Sequence, residues 1–489
     1  MELLVGDVFR NAARAVPHRR AFAFGDRTLT FGELDRAGNR LAHALRAEGI
    51  GLGDRVAVWS DSCVDLVPLF VALAKLGAVF APLNTRLGVD EAAPVAEMAR
   101  PALLLVDPAR FADGAALAGR VGVPWRALGD GPTGPDAPDD DPGEVAGLTG
   151  ASPHVLFATS GSTGRPKGVV VSHRASVMRC HPGAQIEPRG TLVCPFPLFH
   201  MAAWTLSMQQ WHARGGMVFT ASADGAEICR AIEAHRANRA YLIPAVWRRV
   251  LDHLATPEGA GCDLSSLRFA DSGTSATPPE LLADLRAALP DAVLRVFYGS
   301  TEAANVLARD EAEADERPGS CGVPSPLVQV RVADDGELLV RSPLLFDEYF
   351  GDPEATAAAF VDGWYRTGDK VEADEDGHLS ITGRVNDVIR TGGEGVDPTE
   401  VEGVLRTHPA VDDVAVVGLP DARWGELVCA VVVPVDGVVP SVEDLRRHGA
   451  DHLAPYKLPR RVEAVDVIPR TLATHQVQRA LVLERLASA

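Results

Sequence analysis

Thr159-Ser160-Gly161-Ser162-Thr163-Gly164-Arg165-Pro166-Lys167-Gly168 is the stretch whose reading decides the fold. It follows the apolar run Val155-Leu156-Phe157 and precedes Val169-Val170-Val171. That order predicts a strand, a polar glycine-rich loop and a second strand. Glycine permits tight turns and close approach of the backbone to a ligand. Hydroxyls, backbone N–H groups and the Lys167 cation suit phosphate oxygens. The stretch is not a Walker A loop, in which Lys is followed at once by Ser or Thr and a helix opens. Here Lys167 precedes Gly168 and a strand. The bland alternative is a solvated flexible turn. Ten consecutive residues of this kind weigh against it.

Upstream, Thr30 to Gly49 reads as a helix, with Leu34, Leu41, Ala44 and Leu45 on one face. Residues 54–59 read as a strand, Val64 to Leu76 as a helix and residues 78–83 as a strand. Helices alternating with short apolar strands predict α/β layers with parallel pairing. Gly129 to Gly147, rich in Pro, Gly and Asp, reads as a loose connection. Downstream, Val193-Cys194, residues 240–243 and Val293 to Phe297 read as strands, and residues 336–341 as a hairpin strand of a β-rich part. The pattern resets near Gly383-Arg384-Val385-Asn386-Asp387. The remaining C-terminal stretch suits a compact unit of about 100 residues. It holds helices at Glu400 to Thr407 and Val442 to His448, and strands at Val411 to Val417 and Val428 to Val435. The expected fold class is therefore α/β. A large N-terminal domain, residues 1–384, has two α/β layers plus a β-rich part, and a small α+β C-terminal domain spans 385–489.

Composition agrees with a soluble globular chain: 46% of the 489 residues are apolar and 23% charged. The net charge of −19 repels a nucleic-acid backbone, so no nucleic acid is expected as a partner. An anionic ligand must then be held by local N–H groups or a few placed cations. The seven cysteines, Cys63, Cys180, Cys194, Cys229, Cys262, Cys321 and Cys429, form no C-x-x-C pair. Their spacing argues for reduced thiols, a cytoplasmic location and no zinc site, with all seven packed as small hydrophobes. Residues 1–7 lack the basic start of a signal peptide. The apolar stretch Val67 to Ala81 is interrupted by Lys75 and Gly77 and falls short of the roughly 20 residues a membrane span needs, so no membrane association is expected.

Tyr298-Gly299-Ser300-Thr301-Glu302 and Trp364-Tyr365-Arg366-Thr367-Gly368-Asp369 follow the 159–168 stretch in order. With it they make the chain resemble, over nearly its whole length, the adenylate-forming superfamily of acyl-CoA synthetases, peptide-synthetase adenylation domains and luciferases. The resemblance implies AMP or ATP, an acyl-AMP, CoA and Mg²⁺ as ligands. Thr159, Ser160, Gly161, Ser162, Thr163, Gly164 and Lys167 would cradle phosphate. Thr301 would contact the α-phosphate, and Glu302 would hold Mg²⁺, which favours a carboxylate beside phosphate oxygens. Tyr298, Gly299 and Ser300 would flank the nucleotide. Asp369 would accept from both ribose hydroxyls, with Arg384 near the same ribose. Pro195-Phe196-Pro197-Leu198-Phe199-His200 resembles the segment with an aromatic gate, so His200 would line the acyl site. Ser272-Gly273-Thr274 resembles the pocket wall. Side chains around 202–204 and 244–247 would tune its shape.

The small domain of this superfamily rotates between an adenylate-forming and a thiol-transfer state. Its hinge is usually Asp or Lys, and here that place holds Asn386, which tolerates unusual backbone angles. Gly392 and Gly393 resemble the loop lining the pantetheine tunnel. Trp424, in Asp421-Ala422-Arg423-Trp424-Gly425-Glu426, matches a motif of CoA ligases near that tunnel. The superfamily ends in Pro-Arg-Thr-x-x-Gly-Lys-x-x-Arg, whose Lys bridges carboxylate and phosphate during adenylation. This chain has Pro469-Arg470-Thr471-Leu472-Ala473-Thr474-His475-Gln476-Val477-Gln478-Arg479. Counting from Pro469, the lysine place is His475; counting from Arg479, it is Gln476. Lys457 matches a separate position. The resemblance, with this departure, implies an acyl-CoA ligase weak or inactive in adenylation. It would take a carboxylic acid or a preformed acyl-adenylate, supplied by an adenylating partner enzyme, and pass the acyl group to CoA. The alternatives are ATP-dependent activation of another acid, such as nitrite in a diazotase, and a nucleotide-binding pseudoenzyme.

Overall fold

The computed structural model describes residues 2–488 except 62, 130–136, 161–165, 181–189, 275–276, 310–316, 318, 388, 392–393, 422–423, 451 and 471–475. By packing, the chain divides into two compact units. The first comprises residues 1–316, 324–329 and 341–365; the second comprises 317–323, 330–340 and 366–489. Packing thus groups 366–384 with the C-terminal residues. The sequence pattern puts the boundary between 384 and 385.

The first unit is α/β, as the alternation predicts. One sheet has seven strands in the order Glu348–Tyr349, Pro166–Ser172, Pro153–Ser160, Val79–Pro82, Arg55–Trp59, Leu103–Val106 and Trp125–Ala127. Its pairs from Pro153–Ser160 through Trp125–Ala127 are parallel. The other sheet runs Ala304–Arg309, Val293–Ser300, Phe269–Gly273, Arg239–Leu242, Thr191–Cys194, Gly216–Phe219, Arg20–Phe24, Arg27–Thr30. Its interior pairs are parallel and its outer pairs antiparallel. Parallel strands covered on both faces must be apolar throughout, and residues 103–106 and 239–242 are buried at every position.

Local sequence sets the helix ends. Phe31–Ala47 begins at a capping box in which Thr30 accepts from the Glu33 amide and Glu33 accepts from the Thr30 amide. The Lys75 that interrupts the apolar helix Cys63–Leu76 is fully buried. Its Nζ lies 2.5 Å from Asp35 Oδ1 and 2.6 Å from Asn39 Oδ1, so the charge is paired rather than stranded. On the same helix Phe70 stacks on Trp204 at 4.3 Å and meets Phe80 edge-on at 5.4 Å. Among the described residues no helix is long and apolar enough to cross a membrane. Cys180, Cys194, Cys229 and Cys429 are buried, as expected of small hydrophobes, but Cys262 and Cys321 are only partly covered.

Two histidines are buried where the strand Pro153–Ser160 meets the helix His173–Arg179. His173 Nδ1 accepts from the Val5 amide at 3.2 Å, and His154 Nδ1 lies 2.9 Å from Ser176 Oγ. Burial lowers the His173 pKa to about 4, and burial with the neighbouring His173 lowers that of His154. Both are neutral in the folded chain at pH 7. Unfolded histidine takes a proton below about 6.5, so this stability is complete above pH 6.5 and is lost as pH falls toward 4. His173 alone accounts for about 3 kcal/mol of loss. Urea midpoints at pH 7 and pH 4.5 should show that drop, and His173→Asn should flatten it.

The second unit carries the hairpin of residues 366–373 with Leu379–Arg384. It also carries a sheet ordered Glu394–Val396, Ile389–Thr391, Gly425–Pro434, Val411–Asp421, with Arg461–Ala464 parallel to Gly425–Pro434. Val401, Leu405 and Leu445, from the helices Pro398–Leu405 and Val442–Gly449, pack in one core with Val414, Val416 and Val428. The helix Arg479–Ser488 places Val482 in another core with Val417 and Val431.

Candidate active site

The 159–168 stretch is less of a loop than its composition predicts. Pro153–Ser160 and Pro166–Ser172 pair antiparallel as far as Thr159↔Lys167 and Ser160↔Pro166. Thr159, Ser160 and Lys167 are therefore strand residues. Gly161, Ser162, Thr163 and Gly164, with Arg165, lie outside the described residues and join the strand ends. The ladder through Ser160↔Pro166 holds Lys167 on a rigid element.

Lys167 and Glu302, 135 residues apart in sequence, meet at a tyrosine. Lys167 Nζ lies 4.6 Å from the centroid of the Tyr349 ring, and Tyr349 OH donates to Glu302 Oε1 at 3.2 Å. Burial, then the Glu302 charge, raises the Tyr349 pKa, so the phenol stays a donor at neutral pH. Tyr349 reaches this place because Glu348–Tyr349 adds as an edge strand, Tyr349↔Val169, to the strand that carries Lys167. Behind the pair lies Arg179. Its Nη1 donates to Thr301 O at 3.1 Å, its Nη2 to Glu302 O at 3.0 Å and its Nε to Leu344 O at 2.8 Å. Burial lowers its pKa to about 10, against the pull of Asp347 and Glu302, so it remains a cation at pH 7. Arg179 and Tyr349 carried no sequence signal, because their partners are more than 40 residues away.

Tyr298, Gly299 and Ser300 continue the strand Val293–Ser300 beyond the Phe297 end read from the sequence. A tight turn at 301–303 leads into Ala304–Arg309, with Ser300 Oγ accepting from the Ala303 amide at 3.1 Å. Gly299 is required, since a Cβ there would overlap the Ala304 carbonyl. The next strand ends at Ser272 and Gly273, opposite Val296 and Phe297. Ser272 Oγ lies 2.9 Å from Thr277 Oγ1, and a Cβ on Gly273 would overlap the Tyr241 hydroxyl. Thr274 (φ 71°) and Ala304 (φ 58°) both adopt left-handed backbone, costly for a β-branched residue and for alanine. Strain of this kind gathers at functional sites. Ser272, Gly273 and residues 298–300 lie at the carboxyl ends of two strands that pair in parallel, where open α/β sheets bind ligands.

Rings of Phe196, Tyr241 and Phe297 form a run across the same strand ends, with centroids 5.8 Å apart at each step. His200 precedes the helix Met201–His212. Its Nε2 is buried with no hydrogen-bond partner among the described residues. Burial and then Arg86 lower its pKa to about 4, so it is neutral at pH 7. Trp204 and Trp247, in the segments read as pocket-shaping, are fully buried and donate to the carbonyls of Leu198 and Asp271. They are core residues.

In the second unit Asp369 faces Arg384 across the hairpin, with Arg384 Nε 2.8 Å from Asp369 Oδ1. Glu337, which sequence reasoning missed, is buried and organises the preceding turn. It binds Arg366 through Oε2 at 2.6 Å and accepts from the Gly368 amide at 2.9 Å. Asn386 lies in the short 3₁₀ turn Val385–Asp387, and its side chain, like Gly392, Gly393 and His475, lies outside the described residues. The Trp424 amide donates to Asp421 Oδ1 at 2.9 Å, and Arg460 covers its ring at 4.0 Å. Gln476 is exposed. The tail around it is anchored on both sides. Arg470 pairs with Asp413 at 2.7 Å, Arg470 and Val477 form an antiparallel bridge, and the Gln478 amide donates to Pro469 O at 2.9 Å. Arg479 reaches Asp387 at 2.9 Å, Glu402 at 2.5 Å and the Val416 carbonyl at 3.1 Å.

Known proteins match this arrangement along the whole chain. The family described as AMP-binding enzyme matches residues 9–350, and its C-terminal domain matches 400–473. A feruloyl-CoA synthase of Amycolatopsis sp is 37% identical, covering 94% of each chain. The ATP-bound structure of MatB from Rhodopseudomonas palustris superposes with a TM-score of 0.86 at 28% identity, over 99% of each chain. The o-succinylbenzoate CoA synthetase of Bacillus subtilis, solved with its acyl-adenylate intermediate, gives 0.86 at 25% identity over 99% of this chain and 98% of that one.

Proposed function

The chain belongs to the AMP-binding enzymes, in their acyl-CoA ligase branch, and from that premise we propose that it makes acyl-CoA from an acyl-adenylate and CoA, with its own adenylation step slow. One observation carries this reading. No lysine follows Lys457, and the tail that should bring one to the reacting groups offers only Thr, Leu, Ala, Thr, His and Gln between Arg470 and Val477. The anchors on both sides keep the register from sliding by more than that interval. Lys457 is held by Glu400 at 2.6 Å through both carboxylate oxygens and is committed elsewhere.

The rest of the machinery supports nucleotide handling. Residues 161–164, with Thr159, Ser160 and Lys167 beside them in the chain, would receive phosphate oxygens, and Thr301 would contact the α-phosphate. Glu302 suits Mg²⁺, a hard cation that takes a carboxylate and phosphate oxygens. Such an ion would neutralise phosphate charge, and Tyr349 fixes the carboxylate that would hold it. Asp369 would bind the ribose hydroxyls and Arg384 would steady Asp369. Tyr298, Gly299 and Ser300 would border the nucleotide. His200, Ser272, Gly273 and Thr274 would border the acyl group; a neutral His200 can accept or donate there without adding charge. Residues 385–489 would turn about Asn386, and Gly392, Gly393 and Trp424 would then line the path of the CoA arm. The adenylate would come from a separate adenylating enzyme.

The test is to compare two routes to thioester with one acid: synthetic acyl-AMP plus CoA, and free acid plus ATP, Mg²⁺ and CoA. The first should exceed the second by about 10²-fold or more. Equal rates would overturn the proposal. A chain that binds AMP by calorimetry yet forms no thioester with any acyl-AMP in a size series would point instead to the nucleotide-binding pseudoenzyme.

A further inference from the structure

A cluster of soft ligands lies outside the nucleotide and acyl machinery. Cys229 sits in the helix Gly225–His235, His253 near the end of the helix Pro244–Leu254, and Cys262 in the segment leading toward the strand Phe269–Gly273. One ligand atom from each lies within 4.8 Å of the other two, and His253 Nε2 is 3.8 Å from Cys262 Sγ. Cys229 is buried, and the other two are partly covered, so solvent ions can reach the group.

The segment carrying Cys262 is folded to bring it there. Thr256 donates to the His253 carbonyl through its amide at 2.9 Å and its hydroxyl at 2.7 Å. The Gly259 amide donates to Thr256 Oγ1 at 3.1 Å, the Ala260 amide to Thr256 O at 2.9 Å and the Cys262 amide to Gly259 O at 3.0 Å. Gly259 passes so close to His253 that a Cβ would overlap its carbonyl and touch its ring. On the far side, the Asp263 amide donates to Glu233 Oε1 at 3.4 Å and Asp263 pairs with Arg236 at 3.5 Å. Glu233 lies one turn beyond Cys229 on the same helix, so these ties hold Cys262 beside Cys229. A backbone knot on one side and an ion pair on the other thus converge three metal-ligating side chains from three segments.

We propose that Cys229, His253 and Cys262 bind one divalent ion of the zinc class, clamping the corner between the two helices. Two thiolates and an imidazole select a soft, tetrahedral d¹⁰ ion over Mg²⁺ or Ca²⁺. Ligand atoms on such an ion stand about 3.4–3.8 Å apart, close to the His253–Cys262 distance. The fourth position is left to solvent. Burial pushes the Cys229 thiol up to about 12, with Cys262 adding to it; ion binding would deprotonate both thiols and release their protons.

The experiment is a Co²⁺ titration of the reduced full-length chain, followed by the thiolate-to-cobalt charge-transfer band. One equivalent should give the band, and Zn²⁺ should displace it. Cys262→Ser and His253→Ala should each weaken Co²⁺ binding at least about 10-fold, while Cys321→Ser should not. Circular dichroism reports whether each variant folds, and zinc content of the wild type as purified needs no variant at all. Absence of the band, a band undiminished in folded Cys262→Ser, or a Cys229–Cys262 disulfide recovered from cells by thiol trapping would overturn the proposal.

Discussion

A lysine placed at 475 or 476 is expected to raise ATP–pyrophosphate exchange by about 10²–10³-fold and to leave thioester formation from acyl-AMP unchanged. The magnitude comes from the effect of a placed cation when two anions must meet. A carboxylate attacking an α-phosphate brings negative charges together, and one preorganised donor in a water-poor site is worth about 10²–10³ in rate. Neither residue now present replaces it. Gln476 is uncharged, and His475 would need a raised pKa and is shorter than lysine. Two variants are required because the two anchors disagree by one residue. Counted forward from the Arg470–Asp413 pair, the place is 475; counted back from Arg479, held by Asp387 and Glu402, it is 476. One of the two should respond. If neither does, or if the parent already exchanges at the rate the variants reach, the tail does not explain the chemistry.

The same tail shows what sequence could and could not tell. That no lysine follows Lys457 is read directly from the chain; that adenylation is slow for want of one is the proposal. Helices and strands were legible where a local pattern decides them: the apolar face read from Thr30 to Gly49 lies on the helix Phe31–Ala47. The 159–168 stretch was legible in chemistry but not in shape. Composition reads ten residues as loop, whereas the ladder carries strand geometry through Ser160 and from Pro166. Lys75 looked like a break in an apolar run; Asp35 and Asn39, about 40 residues earlier, make it a core residue. Arg179, Tyr349 and Glu337 were missed, and the partners of Arg479 with them, for one reason. Each acts on groups between 29 and 165 residues away, and nothing in their neighbourhood marks the partner. The Cys229–His253–Cys262 group is the same case, since ligands 24 and 9 residues apart match no local zinc spacing.

Arg179 is where that blindness has the largest consequence. Removing its guanidinium leaves three carbonyls, the buried one of Leu344 and the partly buried ones of Thr301 and Glu302, without their charged donor. Leaving a buried acceptor unsatisfied costs about 1–3 kcal/mol, so Arg179→Ala should lose stability by at least that order, measured by urea unfolding. Arg179→Lys is the sharper variant. It keeps the charge, but a single ammonium cannot copy a planar fork that reaches three acceptors at once. If the folded Lys variant lets the 301–303 turn shift by even about 1 Å, rate falls about 10²-fold. Because Glu302 is the proposed Mg²⁺ ligand, the loss in ATP-dependent turnover should come with a raised Mg²⁺ requirement, and Mg²⁺ titration of the folded variant reads it directly. A purely structural arginine would lower stability and leave the Mg²⁺ dependence where it was. That outcome would detach Arg179 from the site and leave Tyr349 as the residue that sets the Glu302 carboxylate.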